Sequence, residues 1–300
     1  MAMSSARVGG GFSRPRHVHR INTATTTTTT TRSRSRILSY AHVEEYSALI
    51  FDCDGVIVES ENIHREAYNA AFQEFQVSCD GTGTILEWSE EFYDVLQNTV
   101  GGGKPKMRWY FGTHGWPTST VLGGSVPGNE TEQEQLIDTL QDWKTQKYKD
   151  IIQHGVQARP GVEALMDLAK SKGIPVAVCS AATKEAVIFV LENLLGKERF
   201  DGLDLFMAGD DVTAKKPDPM IYNEAAKRLN KDPSTCLVVE DSVIGLQAAI
   251  GAGMSCVITY TQSTKDQDFS EASAIFRDLR HVDGHLLLSN AYHGFDCRTE

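Results

Sequence analysis

Two carboxylates stand two residues apart in Phe51-Asp52-Cys53-Asp54-Gly55-Val56, and an adjacent pair closes Val238-Val239-Glu240-Asp241. Each pair follows a short apolar run, which places both at the carboxyl ends of buried strands, on one shared rim. Gathering anions is costly, because two like charges about 4 Å apart repel by about 4 kcal/mol at an effective dielectric near 20. Shared protons or a divalent cation must relieve this repulsion, and a ligand set made only of oxygen points to magnesium (Mg2+). Two further positions suit an anionic substrate. Ser180 ends another apolar run and offers a hydroxyl with nearby backbone amides for a phosphate, and Lys216 in Lys215-Lys216-Pro217-Asp218-Pro219 offers a point charge. Singly, an Asp-x-Asp is an ordinary turn and a lysine an ordinary surface residue. Their order at successive strand ends is what points to a site.

The elements that must position these groups are legible as an alternation. Apolar runs at 48–52, 174–179, 205–208, 236–239 and 255–260 are separated by amphipathic stretches such as 184–195 and 220–229, the pattern of an open α/β sheet. Between the first two runs, about a hundred residues read as helical, at 61–75, 89–97, 104–111 and 130–154. The expected fold is α/β, a doubly wound, mainly parallel sheet with an inserted helical cap. Its core comprises 44–58 and 159–281, and the cap 59–158. Ligands of doubly wound sheets collect at the carboxyl ends of the strands, so a cap launched there overhangs the chemistry. The uncharged stretch 242–264 is long enough to cross a bilayer. It is broken by Gly245, Gly251 and Gly253 and carries Gln247 and Gln262, so it reads as a helix, a stop and a strand.

Composition narrows the partners. The 300 residues carry 29 Lys+Arg against 40 Asp+Glu, a net charge of −11, which disfavours nucleic acid and anionic membranes. Six cysteines without a Cys-x-x-Cys or a zinc-spaced His pair indicate neither a disulfide framework nor structural zinc. Residues 1–43 hold seven arginines, no acid, and the run Thr25 to Thr31. That is the composition of an organelle transit peptide, for the chloroplast first and the mitochondrion second.

Taken together, Asp52-x-Asp54-Gly-Val, Ser180, Lys216-Pro and Glu240-Asp241 resemble the four motifs of the haloacid dehalogenase superfamily. The placement of the cap is similar to that of the branch holding β-phosphoglucomutase and the CbbY-type sugar-bisphosphate phosphatases. The stretches Gly101-Gly-Gly-Lys-Pro-Lys-Met-Arg-Trp-Tyr-Phe, Gly115-Trp-Pro and Arg159-Pro-Gly-Val resemble its plant chloroplast members. The resemblance implies that Asp52 attacks phosphorus and that Asp54 serves as general acid and base, its carbonyl touching the metal. It implies Mg2+ held by Asp52, Glu240 and Asp241, with Ser180 and Lys216 steadying the phosphoryl oxygens. The second aspartate favours phosphotransfer over dehalogenation, because an alkoxide leaving group needs a proton.

The same resemblance implies a small phosphorylated sugar as substrate and a monomeric enzyme. It places Glu59 and His64 toward the substrate. Gly101 to Gly103 with Lys104, Lys106 and Arg108 are expected to present amides and positive charge to a second phosphate. This is no Walker loop, since Pro105 follows the lysine. Lys106 stands where the xylulose-bisphosphate phosphatases resemble one another in an arginine, so a fork has become a point charge. Trp88, Trp109, Trp116 and Trp143 are expected in the cap core. The tail, 282–300, departs from the family's closing helix and is expected to leave the sheet edge short of apolar cover. A sugar-phosphate phosphatase is the first reading. A β-phosphoglucomutase-like mutase and a catalytically silent sugar-phosphate binder are the alternatives.

Overall fold

The computed structural model describes residues 45–299; the expected transit segment, 1–43, lies outside them. The chain runs β1 (Ala48–Phe51), α1 (Ser60–Glu74), α2 (Glu90–Thr99), α3 (Gly103–His114), α4 (Glu130–Gly155), α5 (Val162–Ser171), β2 (Val176–Cys179), α6 (Lys184–Leu194) and α7 (Lys197–Asp201). It continues through β3 (Leu205–Met207), α8 (Met220–Leu229), β4 (Cys236–Glu240), α9 (Val243–Gly251), β5 (Ser255–Thr259), β6 (Ala274–Phe276), α10 (Gly284–Leu288) and β7 (Phe295–Asp296). The strands form one seven-stranded sheet in the order β3-β2-β1-β4-β5-β6-β7. Every adjacent pair is parallel.

Continuous apolar runs form these strands because both sheet faces are covered. On one face Leu49, Phe51, Val176, Val178, Leu237 and Val239 join one buried cluster. On the other, Ala48, Ile50, Ala177, Cys179, Val238 and Cys256 join a second. Cys179, Cys236 and Cys256 are therefore small buried hydrophobes, and none of the six cysteines is in a disulfide. Burial stabilises by about 1.5–3 kcal/mol for each fully covered Leu, Ile or Phe.

The stretch between β1 and β2 builds a third apolar cluster of its own, from Tyr68 and Phe72 on α1, Tyr93 and Leu96 on α2, Met107 and Phe111 on α3, and Leu136 and Leu140 on α4. Trp88 is buried at its centre, with its ring 4.9 Å from Phe72 and 5.0 Å from Tyr68. Trp109 does not join it: it lies 41% exposed on the outer side of α3. The uncharged stretch divides into α9 and β5, and no described helix is long and apolar enough to cross a membrane.

The tail corrects its expectation. Leu287 and Leu288 of α10 enter the first cluster, and Leu288 O accepts a 2.9 Å hydrogen bond from Tyr46 N. Beyond them β7 pairs with β6, and Phe295 stacks on Phe276 at 5.1 Å. An altered sequence thus still covers the sheet edge, with one short helix and a two-residue strand.

Candidate active site

β1 and β4 are neighbours in register, with Phe51 opposite Val239. The carboxylates that follow them therefore meet. One oxygen each from Asp52, Glu240 and Asp241 lies within 4.8 Å of the others, and the three residues are 6%, 1% and 8% exposed. Lys216 reaches in from the loop before α8 and donates to Asp52 Oδ1 at 2.5 Å, Glu240 Oε1 at 2.7 Å and Cys179 O at 3.1 Å. Tyr222 O–H also donates to Glu240 Oε1, at 2.6 Å.

Two glycines make room for this crowding. A Cβ on Gly55 would stand 2.0 Å from Asp241 Oδ2, and φ there is +79°. A Cβ on Gly245 would stand 1.9 Å from Glu240 Cδ. Only glycine accepts such a close approach, and at Gly55 the left-handed backbone as well.

The electrostatics follow from this packing. Burial pushes the Asp52 carboxyl up to about 8, with Lys216 pulling the other way and Glu240 and Asp54 adding to the rise. Burial and the charges of Glu240 and Asp52 raise Asp241 well above the carboxylate range. Burial works against the charge on Lys216, but Asp52 and Glu240 outweigh it and hold the ammonium above its usual value. Three carboxyl groups crowd one ammonium, and the raised Asp52 and Asp241 values reflect that crowding, which a divalent cation would relieve. The donors are all oxygen, as Mg2+ requires, and they converge, so the residues fit such an ion. Glu240 is engaged on both oxygens, since Oε2 accepts from Asp241 N at 3.1 Å. Asp52 and Asp241 are the better placed ligands.

Asp54 is held apart from that cluster. Its Oδ1 accepts from Ser60 Oγ at 2.7 Å, and Ser180 Oγ lies 3.5 Å from Oδ2. It is bonded by hydroxyls, and no cation pairs with it among the described residues. Ser180 is fully buried at the end of β2 and accepts from Ala182 N at 3.1 Å. The six motif residues therefore converge on one rim.

The cap residues divide. A cavity of about 1080 Å³ lies between the cap and α6 and is lined by His64, Gly103, Lys106, Lys144, Tyr148 and Thr183 among others. Lys104 and Arg108 do not reach it. They are exposed and pair with Asp138 at 2.8 Å and Glu134 at 2.6 Å on α4. The reason is the helical period: within α3, positions 104 and 108 share one face while 106 points away from it. Gly103 serves packing too, since a Cβ there would stand 2.1 Å from Gln141 Oε1. Glu59, at the N-cap of α1, lines a separate small recess with Glu61, Arg65 and Asp94.

Lys144, on α4, escaped the sequence reading. It is 6% exposed and has no carboxylate partner among the described residues. Its Nζ lies 2.9 Å from His64 Nδ1 and over the rings of Tyr68 and Tyr148, at 4.7 and 5.4 Å. When Lys144 is protonated its ammonium only donates, so His64 Nδ1 then accepts and the imidazole is neutral. Burial, then Lys144 and Lys106, hold His64 well below its ordinary value. Burial and Lys106 lower Lys144 to about 7. The signal available in the sequence was a lysine at an inward position of α4, one helical turn before Tyr148.

Known proteins carry the same pattern. Residues 46–253 match the haloacid dehalogenase-like hydrolase family, and the chain belongs to that family of hydrolases. A haloacid dehalogenase-like hydrolase domain-containing protein of Arabidopsis thaliana is 63% identical over 78% of this chain and 75% of its own length. A CBBY-like protein of the same plant is 43% identical over 77% of this chain and 68% of its own. Among solved structures, a variant of CbbY from Rhodobacter sphaeroides in complex with xylulose-(1,5)bisphosphate superposes with a TM-score of 0.59. It is 27% identical over 79% of this chain and 96% of that one.

Proposed function

We propose that the chain is a Mg2+-dependent phosphatase that hydrolyses a small sugar phosphate or bisphosphate through a phosphoaspartyl intermediate. The observation that carries this reading is the buried convergence of Asp52, Lys216, Glu240 and Asp241, with Asp54 on the same rim and bonded instead to Ser60 and Ser180. Asp52 attacks phosphorus and the ester P–O bond breaks, while Asp54 gives its proton to the departing alkoxide. Asp54 then takes a proton from water as the water oxygen attacks the phosphoaspartyl group, releasing inorganic phosphate and restoring Asp52. Lys216 and Ser180 hold phosphoryl oxygens through charge and a hydroxyl. Asp52, Asp241 and Glu240 would hold Mg2+, which when bound would supply positive charge to the reacting phosphate.

The large cavity supports the bisphosphate reading. Lys106 and Lys144 line it, neither in an ion pair among the described residues and Lys144 charged below about pH 7, and His64 beside them is neutral. Two such ammonium groups suit a second phosphate at the far end of a short sugar, and the CbbY complex with its bisphosphate points the same way. The residues 59–158 act as a lid inserted between 44–58 and 159–281. The acid-free, arginine-rich 1–43 serves as a chloroplast transit peptide, and the mature enzyme acts as a monomer.

The test is release of phosphate from an aryl phosphate with Mg2+ and with chelator, followed by a panel of phosphorylated sugars that includes pentulose bisphosphates. Metal-dependent release with preference for a bisphosphate supports the proposal. Isomerised sugar from a hexose 1-phosphate, with a bisphosphate primer, would make it a mutase. No metal-dependent release at high enzyme concentration would make it a silent binder.

A further inference from the structure

The chain crosses between the sheet and the helical cap twice, at 52–59 and at 156–161, and a single residue fastens both crossings. Arg159 N donates to Ile57 O at 2.8 Å. Its guanidinium donates from Nη1 to Gly55 O and to Thr259 O, the latter at 2.8 Å. From Nη2 it donates to Tyr260 O at 2.9 Å and Arg277 O at 2.7 Å. All four carbonyls lie just beyond the carboxyl ends of β1, β5 and β6 or at them. No carboxylate pairs with Arg159 among the described residues. Glu59, Asp241 and Asp278 favour its charge from a distance, but the close contacts are to backbone carbonyls and the Thr259 hydroxyl, and its rigid planar fork fixes four backbone points at once. Gly55 is the residue directly after Asp54, so this fork sets where the Asp54 turn sits relative to the rest of the rim.

From this geometry we infer that Arg159 is a positioning residue: it holds the turn bearing Asp54 in its productive place and pins the pivot of the cap. The inference rests on the catalytic reading of Asp54 given above. A misplacement of a reacting group by about 1 Å costs about 10²-fold in rate, and a lysine, with one donor centre, cannot span carbonyls on three different strand ends.

The variants are Arg159→Lys and Arg159→Met, assayed with Mg2+ on an aryl phosphate and on the preferred sugar phosphate, beside amide hydrogen exchange. The expected result is a kcat lower by about 10²-fold in both variants, with KM changed less than threefold and partial rescue by added guanidinium ion. Amides of Gly55, Ile57 and Val58, which bond within the turn, exchange at least tenfold faster, while those of Leu49 and Ile50 in β1 are unchanged. An Arg159→Lys variant with wild-type kcat and unchanged exchange at 55–58 overturns the inference. So does a loss confined to thermal stability, with kcat per folded molecule intact. Should neither variant fold, the wild-type protein decides, since turn amides that already exchange far faster than those of β1 show that Arg159 does not hold them. If the wild-type enzyme releases no phosphate from any ester, the proposed function fails, and the exchange comparison still judges Arg159.

Discussion

Replacing Lys144 by methionine separates its cost to the fold from its use to the substrate. The side chain is 6% exposed, has no carboxylate partner among the described residues, and titrates near 7 rather than at the usual lysine value of 10.5. Between those two pH values the unfolded chain binds more protons than the folded one, so stability rises with pH across that window. Below about pH 7 both states are charged and the burial cost is present in full. Lys144→Met removes that cost, so the variant unfolds at higher urea than wild type at pH 6, and the gap closes toward pH 10.5. Activity moves the other way. One charge-assisted hydrogen bond to a phosphate contributes about 1.5–3 kcal/mol. At about 1.4 kcal/mol per tenfold, KM for a sugar bisphosphate rises about 10- to 100-fold in Lys144→Met. The effect on a small aryl phosphate, which does not span the cavity, stays within threefold. In wild type, kcat/KM for the bisphosphate declines as pH rises through about 7, and the variant lacks that limb. Urea titrations at pH 6, 8 and 10, with steady-state kinetics on both substrates, check each part. A variant less stable than wild type at pH 6, with KM for the bisphosphate unchanged, would refute the reasoning.

Further outcomes follow from the same geometry. Asp52→Asn abolishes turnover without lowering the melting temperature, and Asp54→Asn lowers kcat by about 10²- to 10⁴-fold; phosphate release and thermal melting read both. Lys216→Met removes the buried donor shared by Asp52 and Glu240 and destabilises by about 3–5 kcal/mol, measured by urea unfolding at pH 7. Lys104→Ala and Arg108→Ala leave KM within twofold because both side chains face solvent beside α4, whereas Lys106→Ala raises it; kinetics on a sugar bisphosphate separate them. Activity is indifferent to thiol reductant, because burial raises the Cys53 thiol and holds Cys179 at about 12, keeping both protonated; a peroxide titration with and without reductant checks this.

The sheet and the motif rim were legible because their signals are strong and local. Apolar runs such as Leu49-Ile50-Phe51 have no reading other than a buried element, and each motif carboxylate directly follows one. What was missed depends on directions in space. Lys104, Lys106 and Arg108 look like one basic cluster in a string, but α3 sends the first and last to solvent and the middle one inward. Lys144 was silent because its meaning comes from Tyr68, Tyr148 and His64, which only the packing of α1 on α4 brings to it. β6 and β7 are three and two residues long, too short for a periodicity, and β7 exists only because β6 presents an edge to it. Nothing local marks Arg159 as a fastener, since its four carbonyl partners lie as far as 118 positions away.

The contact between Tyr46 and Leu288 sets an order of events during synthesis. β1 is made before every other strand but pairs with β2 and β4, made more than a hundred residues later, and its leading edge waits for α10. The cluster between them needs only residues 68 to 140 and can therefore consolidate while the sheet is still open. A nascent chain stalled before α10 would thus display a finished lid on an unfinished floor, and its exposed apolar strand edges would be the surface that chaperones meet.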